Sequence, residues 1–159
     1  MDADALNRIS ESQLGANFFL ERKFKTWITP HDKEFSRLFP NIKGETNVEL
    51  ALNAAKEFNI SILLKGANST VADNKKAWQL FGTDPQTARA GLGDLLSGFV
   101  AGSSAIDLTF CRNITTDFFA KYVLLHSFAA SKCKTGSNAF AIGDELSKLM
   151  RNRKMRQIS

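Results

Sequence analysis

The stretch TNVELALNAAKEFNISILLKG, residues 46–66, decides the fold class. Thr46 with Glu49 reads as a capping box, in which a hydroxyl and a carboxylate satisfy amide donors at a helix start. Val48, Ala51, Leu52, Ala55 and Phe58 then recur at the spacing of one helical face. Residues 60–64 form a short apolar run without alternation, the pattern of a strand buried on both faces, and the run stops at Lys65-Gly66. A helix feeding a doubly buried strand implies a parallel sheet covered by helices, an α/β fold.

Upstream of this stretch, residues 25–29 read as a strand. Thr29-Pro30-His31-Asp32 then reads as a helix start, with Thr29 as N-cap and Pro30 at the first helical position. Phe35, Leu38 and Phe39 supply the apolar face of that helix. At the beginning of the chain, Asp2-Ala3-Asp4-Ala5-Leu6-Asn7 places two carboxylates in a short helical stretch. Downstream, residues 69–72 and 77–81 flank Asp73-Asn74-Lys75-Lys76, which reads as the turn of a β-hairpin extending the sheet. Residues 82–90 read as a loop. Leu92, Leu95, Leu96, Phe99 and Val100 follow at the spacing of a core-facing helix. Two more helices, over about residues 115–132 and 143–151, are separated by the break Gly136-Ser137-Asn138.

The 159 residues suit one domain, long enough to bury roughly 70% of the surface that the unfolded chain exposes. With 43% apolar and 23% charged residues, the composition excludes disorder, collagen-like repeats and coiled coil as the main description. No apolar run reaches the roughly 18 residues of a membrane span, and residues 1–10 are acidic and polar where a signal peptide is basic and then apolar. The expectation is a cytoplasmic protein without a membrane contact. Net charge is +5, and much of the excess sits in Lys148, Arg151, Arg153, Lys154 and Arg156. Residues 151–159 read as a basic, frayed tail and not as a nucleic-acid contact, since cations suit a helix C-terminus and chain ends fray. Cys111 and Cys133 lie far apart, without CxxC spacing, and read as buried thiols and not as a zinc site, although His126 falls between them.

Gly91-Leu92-Gly93-Asp94 joins a loop to the start of an apolar-faced helix, where unpaired amides and the positive dipole end hold phosphate oxygens. No Lys-Ser or Lys-Thr follows, so it is not a P-loop, and the third glycine of a dinucleotide fingerprint is absent. On its own, Gly-Asp at a helix start is also an ordinary cap. Taken alone, Lys65 reads as a surface lysine snorkelling past a strand end, and His31 as a solvated helix-start residue. His126 lies midway along an apolar helix and reads as a hydrogen-bonded core residue. Asp2 and Asp4 suit either Mg²⁺ or the helix dipole.

The ordered set of Asp2-Ala3-Asp4-Ala5-Leu6-Asn7, Thr29-Pro30-His31, Leu64-Lys65-Gly66-Ala67 and residues 88–98, with Gly91-Leu92-Gly93-Asp94 inside it, resembles the C-terminal portion of the ADP- or ATP-dependent NAD(P)H-hydrate dehydratases. These are nicotinamide nucleotide repair enzymes with a ribokinase-like fold, and the likeness runs from Asp2 to about Lys132. Arg89 and Ala90 stand where Thr and Gly are frequent in the family, and Leu92 where a small or hydroxyl residue is usual. The resemblance implies a truncated, mostly parallel sheet with flanking helices and a β-hairpin. It implies that residues 1–159 are the C-terminal part of a dehydratase domain whose N-terminal half is missing, as in a fragment, a split enzyme or a shortened gene model. His126 resembles a position on the family helix that packs near the nucleotide.

The activity implied is dehydration of (S)-NAD(P)H hydrate to NAD(P)H, by phosphorylation of the C6 hydroxyl and elimination of phosphate. Asp94 would be the catalytic base and touch substrate, and His31 would lie on the substrate side. Lys65, Gly66, Ala67, Asn68, Ser69, Gly91 and Gly93 would bind ADP or ATP, with Mg²⁺. The partners implied are the hydrate, the adenine nucleotide and a separate N-terminal half or an epimerase domain; a homo-oligomer is left open. A vitamin-precursor kinase of the same superfamily, or a non-catalytic nucleotide-binding remnant, are the alternatives. The chain alone is expected to bind nucleotide weakly and turn over little hydrate, because part of the substrate wall is lacking.

Overall fold

The computed structural model describes residues 1–81, 91–110, 113–134 and 136–155. The chain divides into two compact units, Met1–Gly82 and Thr83–Ser159. The expected loop over residues 82–90, Cys111 and the last residues of the expected tail lie outside the described residues.

In the first unit the order is α1 (Ala3–Glu11), a 3-10 turn (Gly15–Phe19), β1 (Trp27–Ile28), α2 (Asp32–Leu38), α3 (Asn47–Phe58), β2 (Ser61–Leu64), β3 (Thr70–Ala72) and β4 (Ala77–Gln79). The sheet order is β1-β2-β3-β4. β1 and β2 run parallel, with Trp27 opposite Ser61 and Ile28 opposite Ile62. β3 and β4 form the expected antiparallel hairpin, whose turn is held by Asp73 Oδ1 accepting from the amides of Lys75 and Lys76. β3 also pairs antiparallel with β2, so the sheet is mixed. Every residue of β2 is buried, as its unbroken apolar run requires. Phe35, Phe39 and Phe58 stack in series over the helix side of the core, with ring centroids 5.1 and 5.0 Å apart.

Helix α3 starts where the sequence places it. Thr46 Oγ1 accepts from the Glu49 amide at 3.2 Å, while the Glu49 carboxylate turns to the Glu45 amide at 2.7 Å, one residue short of a reciprocal box. Replacing Thr46 by Ala is expected to lower the stability of this unit by about 1 kcal/mol, read as a fall in the urea midpoint at constant slope. The helix stops at Asn59, which takes a left-handed φ of 50° and turns the chain into β2.

The start of α2 corrects the sequence reading. The N-cap is His31 and not Thr29, because Thr29 and Pro30 stay extended alongside their neighbours: the Thr29 amide donates to the Met1 carbonyl and the Lys65 amide to the Pro30 carbonyl. His31 Nδ1 accepts from the amides of Lys33 and Glu34, and the buried Glu34 carboxylate returns the bond by accepting from the His31 amide at 2.8 Å. The strand predicted over residues 25–29 is correspondingly reduced to Trp27–Ile28.

The second unit is helical: α4 (Leu92–Phe110), α5 (Thr116–Lys132) and α6 (Ala139–Met155). Leu96 and Val100 of the expected stripe are buried, and Leu92, Leu95 and Phe99 pack against a core of Ala129, Ala130, Ile142 and Leu146. α6 begins four residues earlier than its apolar spacing suggests, because Asn138 Oδ1 accepts from the Ala141 amide and caps it. Tyr122 is fully buried, edge-on to Phe99, with its hydroxyl donating to Asp107. Among the described residues no helix is long and apolar enough to cross a membrane.

Candidate functional site

β1 and β2 end side by side, and the chain beyond them keeps their parallel register. His31 and Lys65 form a parallel bridge, and the Lys65 amide donates to the Pro30 carbonyl at 2.8 Å. Ligands of open α/β sheets bind at this carboxyl end of parallel strands. The turn that follows Lys65 is closed by Ser69, whose hydroxyl donates to the Gly66 carbonyl at 3.2 Å and accepts from the Gly66 amide at 3.4 Å. A Cβ built on Gly66 would meet Asn47 Nδ2 at 3.6 Å and Asp32 Oδ1 at 4.0 Å, so α2 and α3 both present polar side chains to this turn.

Lys65 is not the freely snorkelling lysine of the plain reading. Its ammonium donates to Asp2 Oδ1 at 2.8 Å, and the Asp2 side chain is 10% exposed. Asp2 therefore meets a cation of the chain itself, 63 residues away in sequence. His31, with Nδ1 engaged as an acceptor, carries its proton on Nε2 in the neutral ring. That nitrogen lies 3.5 Å from Glu34 Oε1, and the side chain is half exposed. The structure thus brings His31, Lys65, Gly66 and Ser69 to one end of one sheet, with Ala67 and Asn68 in the turn between them.

Gly91, Gly93 and Asp94 belong to the second unit. Gly91 has φ +81°, a conformation that glycine adopts without strain, and its carbonyl accepts from the Leu95 amide to open α4. Asp94 sits exposed in the first turn of that helix. It stands at one end of a groove of about 780 Å³ between α4 and α6, lined by Leu95, Phe99, Phe140, Leu146 and Met150 among others. The sequence reading missed this groove. Its apolar residues are spread over two helices and become neighbours where α4 and α6 pack, with Leu95 lying 3.8 Å from where a Cβ on Gly143 would sit.

His126 departs from the reading of a hydrogen-bonded core residue. It is 8% exposed, its Nε2 has no hydrogen-bond partner, and burial lowers its pKa to about 4. The Cys133 thiol is half-buried and donates to the Ala129 carbonyl. Among the described residues no three His, Cys, Asp or Glu side chains gather as a metal site.

The chain belongs to the NAD(P)H-hydrate dehydratase family, whose model matches residues 1–150. It is 36% identical over 103 residues to the bifunctional NAD(P)H-hydrate repair enzyme Nnr of Synechocystis, a match covering 64% of this chain and 20% of that protein. It is 32% identical over 136 residues to the ADP-dependent (S)-NAD(P)H-hydrate dehydratase of Listeria monocytogenes, covering 76% of this chain and 47% of that one. The chain therefore spans about half or less of the length of these relatives. Among solved structures, a ribokinase-like superfamily protein from Enterococcus faecalis superposes with a TM-score of 0.76 at 26% identity, over 95% of this chain and 51% of that one. The ADP/ATP-dependent NAD(P)H-hydrate dehydratase of Bacillus subtilis, co-crystallized with ATP/Mg2+, superposes with a TM-score of 0.65 at 20% identity, over 83% of this chain and 49% of that one. The fold is ribokinase-like.

Proposed function

We propose that the chain carries the nucleotide-binding and catalytic residues for ADP- or ATP-dependent dehydration of (S)-NAD(P)H hydrate, as the C-terminal part of a dehydratase domain. The observation that carries this reading is the placement of His31, Lys65 and the residue 66–69 turn together at the carboxyl end of β1 and β2, in a chain of this family. The Listeria relative is ADP-dependent by name, which favours ADP.

In the first step the C6 hydroxyl oxygen of the hydrate attacks the terminal phosphorus of the nucleotide. The new O–P bond replaces the bridging P–O bond, and AMP leaves from ADP. The hydroxyl proton passes to the Asp94 carboxylate. In the second step the C6–O bond breaks, phosphate departs with the electron pair, and the neighbouring ring carbon gives up a proton as the double bond of NAD(P)H forms. Hydroxide is a poor leaving group and phosphate a good one, so phosphorylation is what makes the elimination feasible. Phosphoryl transfer itself needs chiefly positioning and charge stabilisation. By the family resemblance, Lys65 and the backbone of residues 66–69 would hold phosphate oxygens, and, within the second unit, the amides of Gly91, just ahead of α4, and Gly93, in its first turn, would offer an anion hole. His31 donates from Nε2 on the substrate side.

The described residues offer no dedicated metal cage. Asp2, one of the two acids considered for Mg²⁺, is engaged with Lys65. Mg²⁺ would therefore enter with the nucleotide phosphates and not in a cage of side chains, and would supply charge neutralisation there.

The test is NADH formation from hydrate and ADP by the purified chain, alone and with the N-terminal half of a relative. A low rate alone and a higher rate with the added half is expected, and no conversion in either case overturns the proposal. Lys65→Ala is expected to weaken ADP binding roughly tenfold, the scale of one charge-assisted contact to phosphate. Titration calorimetry beside a thermal melt checks it, and unchanged affinity returns Lys65 to a structural role.

A further inference from the structure

We infer that Asp2 is an internal counter-ion that occupies Lys65 when the nucleotide site is empty and competes with phosphate for it, a role that rests on the proposed contact between Lys65 and the nucleotide. Asp2 stands at the N-cap of α1, where a carboxylate ordinarily accepts from the amides of the first turn. Its side chain makes no such bond. It reaches instead to the ammonium of Lys65 at 2.8 Å.

The backbone is shaped for this reach. Ala3, the first residue of α1, has φ +43°, a conformation that L-residues with a Cβ avoid. Asp2 is also fixed from its N-terminal side, where the Met1 carbonyl accepts from the amide and the hydroxyl of Thr29. A carboxylate anchored at both flanks by strand and helix does not follow Lys65 toward a ligand. The Lys65 side chain is 25% exposed, and on its exposed side it can turn to an incoming anion.

The electrostatic consequence has a definite sign. A fixed carboxylate beside Lys65 cancels most of the attraction that the ammonium offers a phosphate and adds its own repulsion. Asp2 therefore holds the nucleotide affinity down. Such a residue favours release of the spent nucleotide over tight retention, and it makes the site discriminate by phosphate charge.

The experiment compares the intact chain with Asp2→Asn and Asp2→Ser, both neutral and both able to cap α1, by calorimetric titration with ADP and with adenosine, next to thermal melts. Both variants are expected to bind ADP roughly fivefold more tightly, the scale of one partly exposed ion pair, with adenosine affinity unchanged. A tighter complex is an outcome that damage to the fold does not produce. Unchanged or weaker ADP binding by the folded variants overturns the inference, as does an equal gain for adenosine. Lys65→Ala in the same series separates the two readings. If it weakens ADP binding while Asp2→Asn fails to tighten it, the counter-ion role alone falls. If Lys65→Ala leaves ADP affinity unchanged, the nucleotide contact of Lys65 falls, and the counter-ion role falls with it.

Discussion

Asp94→Asn is expected to lower hydrate-to-NADH turnover roughly 100- to 10,000-fold, the range of a general-base contribution, while ADP affinity stays within about threefold of the parent. Asparagine keeps the size of the side chain, and the bond that opens α4, from the Leu95 amide to the Gly91 carbonyl, is left in place, so the helix and its anion-binding amides survive. What it loses is the capacity to accept the hydroxyl proton as the new O–P bond forms. The exposed position of Asp94 makes a stability artefact small, since an exposed surface substitution of this size changes stability by about 0.5 kcal/mol or less. The measurement is the NADH formation rate at saturating ADP, with the N-terminal half of a relative supplied, beside calorimetric ADP affinity. A variant within threefold of the parent rate removes Asp94 from the chemistry, and with it most of the argument for phosphoryl transfer at this helix start.

The elements legible in the sequence were those fixed by local pattern. The helical spacing from Val48 to Phe58, the unbroken apolar run of β2 and the polar turn at Asp73 each follow from interactions within a few residues. The motif Gly91-Leu92-Gly93-Asp94 was legible as a helix start for the same reason, since a glycine ahead of the helix and an acid in its first turn are favourable local features of one. What stayed hidden depends on contacts distant in sequence. Thr29 and Pro30 carry every local sign of a helix start, yet their hydrogen bonds to Met1 and Lys65 keep them extended and pass the cap to His31, a residue with weak capping preference. Asp2 carries no local sign of its bond to Lys65. The groove beside Asp94 is likewise a product of how α4 and α6 cross, at Leu95 and Gly143.

Between pH 6.5 and pH 4 the second unit is expected to lose stability through His126, by an amount on the order of 3 kcal/mol over the full interval. The ring is buried midway along α5, its Nε2 has no hydrogen-bond partner, and desolvation alone lowers its pKa to about 4 from the ordinary 6.5. In the unfolded chain the same ring titrates near 6.5. As pH falls below that value the unfolded state takes up a proton that the folded state refuses, so the equilibrium shifts toward unfolding until the folded ring also protonates near pH 4. Above pH 6.5 both states are neutral and the effect vanishes. His126→Leu removes the titrating group and the unpartnered nitrogen together, so its stability at pH 7.5 is expected to equal or exceed that of the parent. At pH 4.5 the variant is expected to be more stable by about 2 to 3 kcal/mol, since carboxylate titration is common to both proteins and cancels in the comparison. Urea unfolding of parent and variant at the two pH values, followed by helix content, makes the measurement. Equal losses of stability on acidification would mean that the folded ring accepts its proton as readily as the unfolded one, and that the α5 core admits water or an acceptor at Nε2.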